Sequence, residues 1–250
     1  MKILINSLLS RSLRCGALFL LSAQFALSQT PGKTNATPEK GADFYGDVKP
    51  ADFTKRDPVQ QPVDPQNFDA KLLSAAIFHR TNAVRAEHGF PALAYNAKAA
   101  DAAQKHSEAM AKGDYLSHGT PNQKKNLSPY DRLQNEGLKP RFTAENIAFN
   151  FLLRYQSGKP FFTRGENGKT VYSYEPEGKA LLPHTFASFA EDIVQQWMDS
   201  PPHRKNLLSA EPTQLGVGAA LATSADGFDK IYSTQNFYAP IPNEPPARKS

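Results

Sequence analysis

Three short segments of the sequence carry side chains that could do chemistry. They are Ser117-His118-Gly119, Ala144-Glu145-Asn146-Ile147-Ala148, and the run from Trp197 to Arg204, which contains His203. Two histidines and a carboxylate can hold zinc and leave one coordination position for water. The intervals between the three segments are much longer than those of a local metal-binding motif. Only the fold could bring His118, Glu145 and His203 together.

Each of these residues also has a purely structural interpretation. His118 could end a helix, where a histidine interacts favourably with the helix dipole. Glu145 could cap a short helix, and His203 with Arg204 could form a surface turn. The remaining histidines are more simply explained as solvated or packed side chains: His79, His88, His106 and His184. Ser200 lies near His203, but no third member of a serine-hydrolase triad and no nucleophile elbow is visible.

The sequence gives little support to nucleotide or nucleic-acid binding. Gly168-Lys169-Thr170 matches the end of a phosphate loop, but Thr163 stands where the first glycine is required. The net charge of +5 includes Lys2, Arg11 and Arg14, which lie in an N-terminal segment without acidic residues. Without these three, 26 basic and 24 acidic residues remain. We therefore expect no basic groove for nucleic acid.

Four amphipathic helices are predicted around the three segments. The first begins at Asp69 and ends by Gly89, and the second covers about Ala97 to Lys112. The second carries a stripe of small residues that allows close helix packing. The third starts at Ser128-Pro129 and ends at Gly137. The fourth covers about Thr185 to Asp199 and ends before Pro201.

Four strands are predicted, in two hairpins. Leu215 to Ala222 and Lys230 to Tyr238 form one, joined through Ala225-Asp226-Gly227. In the other, Phe161 to Arg164 and Lys169 to Tyr172 flank a turn with Asn167-Gly168, and Asn-Gly is a strong hairpin signal. This second hairpin lies within an insertion at about residues 150–182.

The ends of the chain have different compositions from its centre. Basic residues, an apolar run from Gly16 to Leu27 and small residues at its end predict a signal peptide over residues 1–28, cleaved before Gln29. The run is too short to span a bilayer as a helix, which needs about 20 residues. We expect a secreted or periplasmic protein without a transmembrane segment or a lipid anchor, since the only cysteine, Cys15, precedes the apolar run.

One block, residues 67–239, contains every strongly periodic apolar segment. Residues 29–66 are rich in proline and lack apolar periodicity, which predicts a disordered linker. Residues 240–250 predict a disordered tail in the same way. We expect residues 67–239 to fold alone as a monomer and without disulfides, because no cysteine follows Cys15.

Several ordered motifs in this block carry a family resemblance. They are Thr81-Asn82 with Arg85 and Gly89, then Leu93, the alanine-rich helix, His118, the box Glu145 to Ala148, Trp197 to Asn206, Gly216-Val217-Gly218, and Tyr232 to Phe237. In them the sequence resembles the CAP superfamily of cysteine-rich secretory, antigen 5 and pathogenesis-related 1 proteins (the SCP domain), in its cysteine-free bacterial branch. The resemblance implies an α+β fold: a three-layer α-β-α sandwich with helices on both sides of a small antiparallel sheet and a large central cleft.

The resemblance also implies a site in that cleft, which in the family holds two histidines and two acidic residues. His118 and His203 match the histidines, and Glu145 matches the acid of the Glu-Asn box. Glu166-Asn167 is a competing match, but polar residues follow it where Ile147-Ala148 supplies the expected apolar step. In eukaryotic members the fourth residue is an acid three positions after the tryptophan. Here the tryptophan is Trp197, and Ser200 stands in the position of that acid. Glu191 and Asp192, about two turns earlier on the same helix, are the alternatives.

Several family members bind zinc or another divalent cation at such a site, and the resemblance implies a similar cation here. Two classes of function remain open. The favoured one is an exported binding module for a lipid, a cell-envelope glycan or a partner protein. The alternative is a metal-assisted hydrolase of peptide or glycan, with Glu145 as the base that activates a water molecule between His118 and His203. The replaced fourth acid favours the module, because a single carboxylate would have to serve as both ligand and base.

Overall fold

The structure is a computed structural model, and it describes residues 44–46, 48–121, 127–156, 158–225 and 227–242. The described helices are α1 (Pro50–Phe53), α2 (Asp57–Gln60), α3 (Ala70–Glu87), α4 (Ala97–Gly113), α5 (Pro129–Asn135), α6 (Phe186–Asp199) and α7 (Pro201–Leu207). The described strands are β1 (Ala94–Tyr95), β2 (Pro140–Phe151), β3 (Phe162–Glu166), β4 (Lys169–Ser173), β5 (Gln214–Ala222) and β6 (Lys230–Pro240).

The ends of the four predicted helices are explained by their capping residues. Asp69 accepts a hydrogen bond from the Leu72 N–H at the start of α3. Asn96 caps α4 in the same way. α5 and α6 begin with reciprocal capping boxes at Ser128 and Thr185, each satisfying backbone donors that a helix start leaves free. The predicted helices are confirmed, with small differences at their ends.

A four-stranded sheet in the order β1-β5-β6-β2 forms the middle layer. β5, β6 and β2 are antiparallel, and the two-residue β1 runs parallel to β5. α4 covers one face of β5 very closely. A Cβ atom on Gly216 would lie 2.1 Å from the Ala100 backbone N, and one on Gly218 would lie 2.2 Å from the Gln104 N. The small residues of α4 and these two glycines together permit this contact.

The opposite face of the sheet packs against α3 and α6. Leu215 and Val217 of β5 share one buried cluster with Ile77 of α3 and with Ile193 and Trp197 of α6. Since successive residues of a strand point to opposite faces, this alternation with Gly216 and Gly218 is what a sheet between two helical layers requires. The predicted α-β-α sandwich is confirmed.

The inserted hairpin forms a separate two-stranded sheet of β3 and β4. Asn167 and Gly168 form its turn with positive φ angles of 51° and 74°, as the Asn-Gly pair predicts. At the base of the hairpin lies a cluster of aromatic rings from the insertion, from β2 and from the β5–β6 loop: Phe151, Tyr155, Phe161, Tyr172 and Phe228.

β2 is the longest element that the sequence did not predict. It is a strand of 12 residues with Glu145 at its middle, so Glu145 does not end or cap a helix. Two adjacent polar residues, Glu145 and Asn146, are both buried in it. They interrupt the apolar alternation by which a strand is normally recognised.

The second half of the predicted linker is folded, and the prediction of disorder is wrong for residues 48–66. Phe53, Val59 and Val63 are at most 1% exposed and belong to the same cluster as α3 and α6. The Val63 N–H donates to the His184 carbonyl at 2.8 Å. Isolated apolar residues among prolines show no periodicity, yet here each one fills a separate place in the core.

The predicted signal peptide, the linker as far as residue 43 and the tail from residue 243 lie outside the described residues. Of the predicted tail, Pro240 ends β6 and residues 241 and 242 follow it. Within the described ranges, no helix is both long and apolar enough to cross a bilayer.

Candidate functional site

The centre of the candidate site is a hydrogen bond between His118 and Glu145. His118 lies in the loop after α4, whose C-cap is Asp114, so His118 is not the helix cap. Its Nδ1 lies 2.8 Å from Glu145 Oε1. The Glu145 side chain is only 1% exposed, whereas that of His118 is 54% exposed. A buried carboxylate therefore holds an imidazole that faces solvent.

Arg132 of α5 holds the other oxygen of the same carboxylate. Its Nη2 donates to Glu145 Oε2 at 2.5 Å, and its Nη1 donates to the carbonyls of His118 and Leu127 at 2.9 and 2.7 Å. A charge-assisted bond of this kind is among the stronger hydrogen bonds in proteins. Arg132 therefore neutralises the buried carboxylate and fixes the backbone of the loop that carries His118.

This arrangement determines what the His118 ring can do. Because the Glu145 carboxylate only accepts hydrogen bonds, Nδ1 of the neutral ring must carry the proton. The lone pair is then on Nε2, the nitrogen away from Glu145. A carboxylate behind a histidine fixes the tautomer and makes the ring a better metal ligand or base.

His203 reaches the site from α7, which packs beside β2. The His203 carbonyl accepts a hydrogen bond from Asn146 Nδ2 at 3.2 Å. Asn206 of the same helix donates to Asn146 Oδ1 at 2.9 Å and to the Glu145 carbonyl at 3.3 Å. Burial, and then the charge of His118, lower the pKa of the half-buried His203. His118 and His203 are thus close enough to interact electrostatically.

The predicted set of three metal ligands is not formed as such. Both oxygens of Glu145 are occupied, by His118 and by Arg132. In the part of the chain that the structure describes, no three histidine, cysteine, aspartate or glutamate residues are grouped so that they could hold a metal ion. Glu145 instead lies behind His118, whose Nδ1 bonds to it.

The candidates for the fourth position lie on α6 and just before α7. Glu191 is on the outer face of α6, where its carboxylate pairs with the Arg80 guanidinium at 2.5 Å. Ser200 is the residue before α7 and makes no side-chain capping hydrogen bond there. The competing Glu166 ends β3 in the inserted hairpin and lies 3.6 Å from the Arg164 Nε.

Sequence reasoning missed two residues of the site, Arg132 and His106. His106 is 1% exposed on α4, and its Nε2 lies 2.9 Å from the Ser117 carbonyl and 3.9 Å from Glu145 Oε1. Burial lowers the pKa of His106 to about 4, with the Arg132 and His118 charges acting in the same direction against the attraction of Glu145. Its place on the buried stripe of α4, between Ala102 and Met110, is the signal that could have identified it.

Asn82 and Arg85, two residues of the family motifs, have a structural role. The Asn82 side chain bonds to both the N–H and the carbonyl of Leu93. Arg85 is fully buried and donates to the carbonyls of Pro91, Leu207 and Ser209. They fix the loop after α3 and the end of α7, and so set the position of the helix that carries His203.

Comparison with known proteins identifies the family. The CAP model, described as the cysteine-rich secretory protein family, matches residues 78–237, and the chain belongs to this family. An uncharacterized membrane protein of Bacillus subtilis (strain 168), YlbC, is 30% identical over 161 residues, which are 64% of this chain and 33% of that protein. The uncharacterized protein YkwD of the same strain is 27% identical over 138 residues, which are 55% and 38% of the two chains. The chain thus spans about a third of the length of these two relatives.

Two solved structures contain chains that are similar to this one. An extracellular protein with an SCP domain from Bacillus anthracis str. Ames is 27% identical, with a TM-score of 0.46 over 71% of this chain and 44% of that one. An outer surface protein of Borrelia burgdorferi is 12% identical, with a TM-score of 0.44 over 69% of this chain and 97% of the other.

Proposed function

We propose that the protein acts outside the cell as a binding module for a lipid, an envelope glycan or a partner protein, with His118 and His203 as its binding centre. The observation that carries this proposal is the occupied carboxylate of Glu145, which presents His118 to solvent in one tautomer. Export is supported by the order of basic, apolar and small residues in the first 28 positions.

The same observation favours a module over a hydrolase. In a metal-assisted hydrolase with water bound between His118 and His203, Glu145 would have to take a proton from that water molecule. A general base must be within hydrogen-bond reach of that proton with a free acceptor site aimed at it. Glu145 is buried, and each of its oxygens already accepts a charged or polar donor. Its role is to position His118.

Imidazole nitrogens are common ligands of zinc, and we propose that His118 and His203 together hold a divalent cation at this centre. His118 would bind through Nε2, since Glu145 holds its Nδ1, and His203 would supply the second nitrogen. A bound cation would supply a positive charge that links α7 to the loop after α4. Because the unfolded chain does not hold the two rings together, such a cation would stabilise the folded state, by about 2.7 kcal/mol at a hundred times its dissociation constant.

The test is zinc binding by the purified full chain, measured by calorimetry and by the thermal unfolding midpoint. His118→Ala and His203→Ala are expected to remove the zinc-dependent rise in the midpoint. His88→Ala is the matched control, because His88 is exposed at the C-cap of α3. It should keep the full rise. An equal zinc effect in all three variants would contradict the proposed centre.

A further inference from the structure

The inserted segment contains four short extended stretches that lie side by side. β3 pairs with β4, and on the other side of β4 Ser173 forms a bridge to Ala180. Further along the stretch that contains Ala180, the Leu182 carbonyl accepts a hydrogen bond from the Arg154 N–H at 2.8 Å. The order across the insertion is β3, β4, residues 180–183 and residues 152–154.

The register of these stretches places side chains in rows on one face, because directly opposite residues of antiparallel neighbours point the same way. Arg164 lies opposite Val171. The bridge at Ala180, continued by two residues, places Val171 opposite Leu182, and the Leu153–Pro183 bridge places Leu182 opposite Arg154. We define the hairpin face by this row and by the adjacent row on the same side: Arg164, Val171, Leu182 and Arg154, and Phe162, Ser173 and Ala180.

The hairpin face is exposed, whereas the opposite side of the same strands is packed. Phe162 and Leu182 are 46% and 64% exposed, and Ala180 is exposed on the same face. On the opposite side, buried Tyr172 packs against the rings of Phe161 and Phe228. Single exposed apolar residues are common, but several on one face indicate a surface that binds a partner.

Two guanidinium groups stand at the ends of the first row. Arg164 donates to Ser173 Oγ at 3.2 Å and to the Gly178 carbonyl at 2.9 Å. Its Nε lies 3.6 Å from the exposed Glu166 carboxylate. Arg154 is exposed, and in the described part of the chain no carboxylate pairs with it. One carboxylate thus accompanies two guanidinium groups, which bind phosphate oxygens well.

We propose that the hairpin face binds the surface of a membrane that contains anionic lipids. Phe162 and Leu182 enter the boundary between headgroups and acyl chains, and Arg154 and Arg164 contact lipid phosphate groups. Across residues 150–182, five basic residues against three acidic ones fit an anionic surface.

A protein partner is the other occupant that such a face could take. A stable protein interface covers about 800 Å² of each partner, more than the partly exposed apolar side chains of the hairpin face supply. A membrane surface requires only a few inserted apolar side chains beside cationic ones. The proposal uses a surface other than the centre of His118 and His203, and it rests on the proposed function only in that the protein must be exported.

The test is sedimentation of the purified full chain with lipid vesicles. Vesicles of equal parts phosphatidylglycerol and phosphatidylcholine should bind the chain roughly tenfold more tightly than pure phosphatidylcholine, because arginines are attracted to an anionic surface. Raising the salt concentration should weaken this binding. Equal binding to both kinds of vesicle would overturn the proposal. Absence of vesicle binding would also overturn it, in favour of a protein partner.

Two double variants locate the apolar contact. Phe162→Ser with Leu182→Ser should weaken binding to the mixed vesicles about tenfold or more, because both inserted side chains are removed. Leu116→Ser with Ile241→Ser is the matched control, since these side chains are 47% and 54% exposed outside the insertion. Both double variants keep the apolar run near the N-terminus, so a difference between them cannot come from that run. Equal binding by the two would show that the hairpin face is not the contact.

Single variants test the charge and the independence of the two surfaces. Arg154→Gln should weaken binding to the mixed vesicles about fivefold. Arg141→Gln, at a half-exposed arginine of β2 outside the insertion, is the control and should change it little. Equal effects of these two would contradict the role of Arg154. His118→Ala should bind vesicles like the unchanged chain, so vesicle binding and zinc binding can fail separately, and a loss of vesicle binding in it would contradict a separate surface.

Discussion

The contacts that stabilise the buried carboxylate of Glu145 also orient the imidazole of His118. Taking a carboxylate out of water costs several kcal/mol unless it is paired and hydrogen-bonded. Arg132 supplies the charge and one donor, and His118 supplies the second donor from the solvent side. The cost of burial is thus offset by contacts that also orient the exposed imidazole.

The substitution Arg132→Met tests whether the buried Glu145 carboxylate depends on the positive charge of Arg132. It leaves the Glu145 carboxylate buried without its cation, and breaking such a pair from one side typically costs 3–5 kcal/mol. We expect the free energy of unfolding, measured in urea, to fall by about this amount. Adding Glu145→Leu should recover part of the loss, because no unpaired charge then remains buried. If the two substitutions were strictly additive, the ion pair would not be the source of the stability.

His106 gives the protein a stability that depends on pH. Its pKa is lowered by burial from an ordinary value near 6.5 to about 4. Between these values the unfolded chain binds a proton that the folded chain does not, so the free energy of unfolding falls as pH falls. The slope from this residue is at most about 1.4 kcal/mol per pH unit.

An NMR titration of the His106 ring checks this. The ring should stay neutral from pH 7.5 down to pH 5, while urea unfolding over the same range shows decreasing stability. Protonation of the folded protein with a midpoint near pH 6.5 would show that His106 is not desolvated as its position indicates.

β2 is the strand that connects the two sides of the site, through Glu145 and Asn146. It is an edge strand, and its adjacent residues face opposite layers. Glu145 faces α4 and α5, where it meets His106 and Arg132. Asn146 faces the other layer, where it bonds to Gln235, the His203 carbonyl and Asn206. One strand therefore links the loop that carries His118 to the helix that carries His203.

Because α4 packs closely on β5, we expect that a side chain at Gly218 destabilises the protein. Gly218→Ala would place a Cβ atom 2.2 Å from the Gln104 backbone N, which cannot move without moving the helix. Overpacking usually costs 1–3 kcal/mol, and a clash with backbone should cost about 3 kcal/mol or more. Gly165→Ala in the inserted hairpin meets nothing within 4 Å and is the control. Similar unfolding midpoints for the two variants would contradict the packing described here.

In the whole molecule, the features that depend on neighbouring residues in the sequence could be predicted. Caps such as Asp69, the periodic faces of the long helices and the Asn167-Gly168 turn are signals of this kind. β2 was missed because its buried polar residues are satisfied only by distant partners such as Arg132. The pairing of Glu145 with Arg132 likewise depends on tertiary contacts, so spacing alone could not separate a positioning residue from a metal ligand.

The folded segment before residue 67 was not predicted because its isolated apolar residues show no periodicity and are buried only by tertiary contacts. The burial of these residues can be measured. Phe53 is fully buried and stacks on His79 of α3, with ring centroids 4.1 Å apart. Phe53→Ala should lower the free energy of unfolding by about 3–5 kcal/mol, the usual range for a buried phenylalanine. Phe162→Ala, at a side chain 46% exposed, should change it by about 0.5 kcal/mol or less. Equal and small effects would mean that residues 67–239 fold without this segment, as the sequence alone predicted.

The most direct test of the proposed binding centre is the tautomer of the neutral His118 ring, measured by long-range proton–nitrogen correlation in the full chain. Since Glu145 accepts a hydrogen bond from Nδ1, we expect a proton on Nδ1 and a free lone pair on Nε2. His88, whose Nδ1 lies 2.9 Å from the Val84 carbonyl, serves as an internal reference for a histidine held by backbone. A neutral His118 ring protonated on Nε2 would contradict the proposed centre, because Nδ1 could then not donate to Glu145 and the carboxylate would not orient the imidazole.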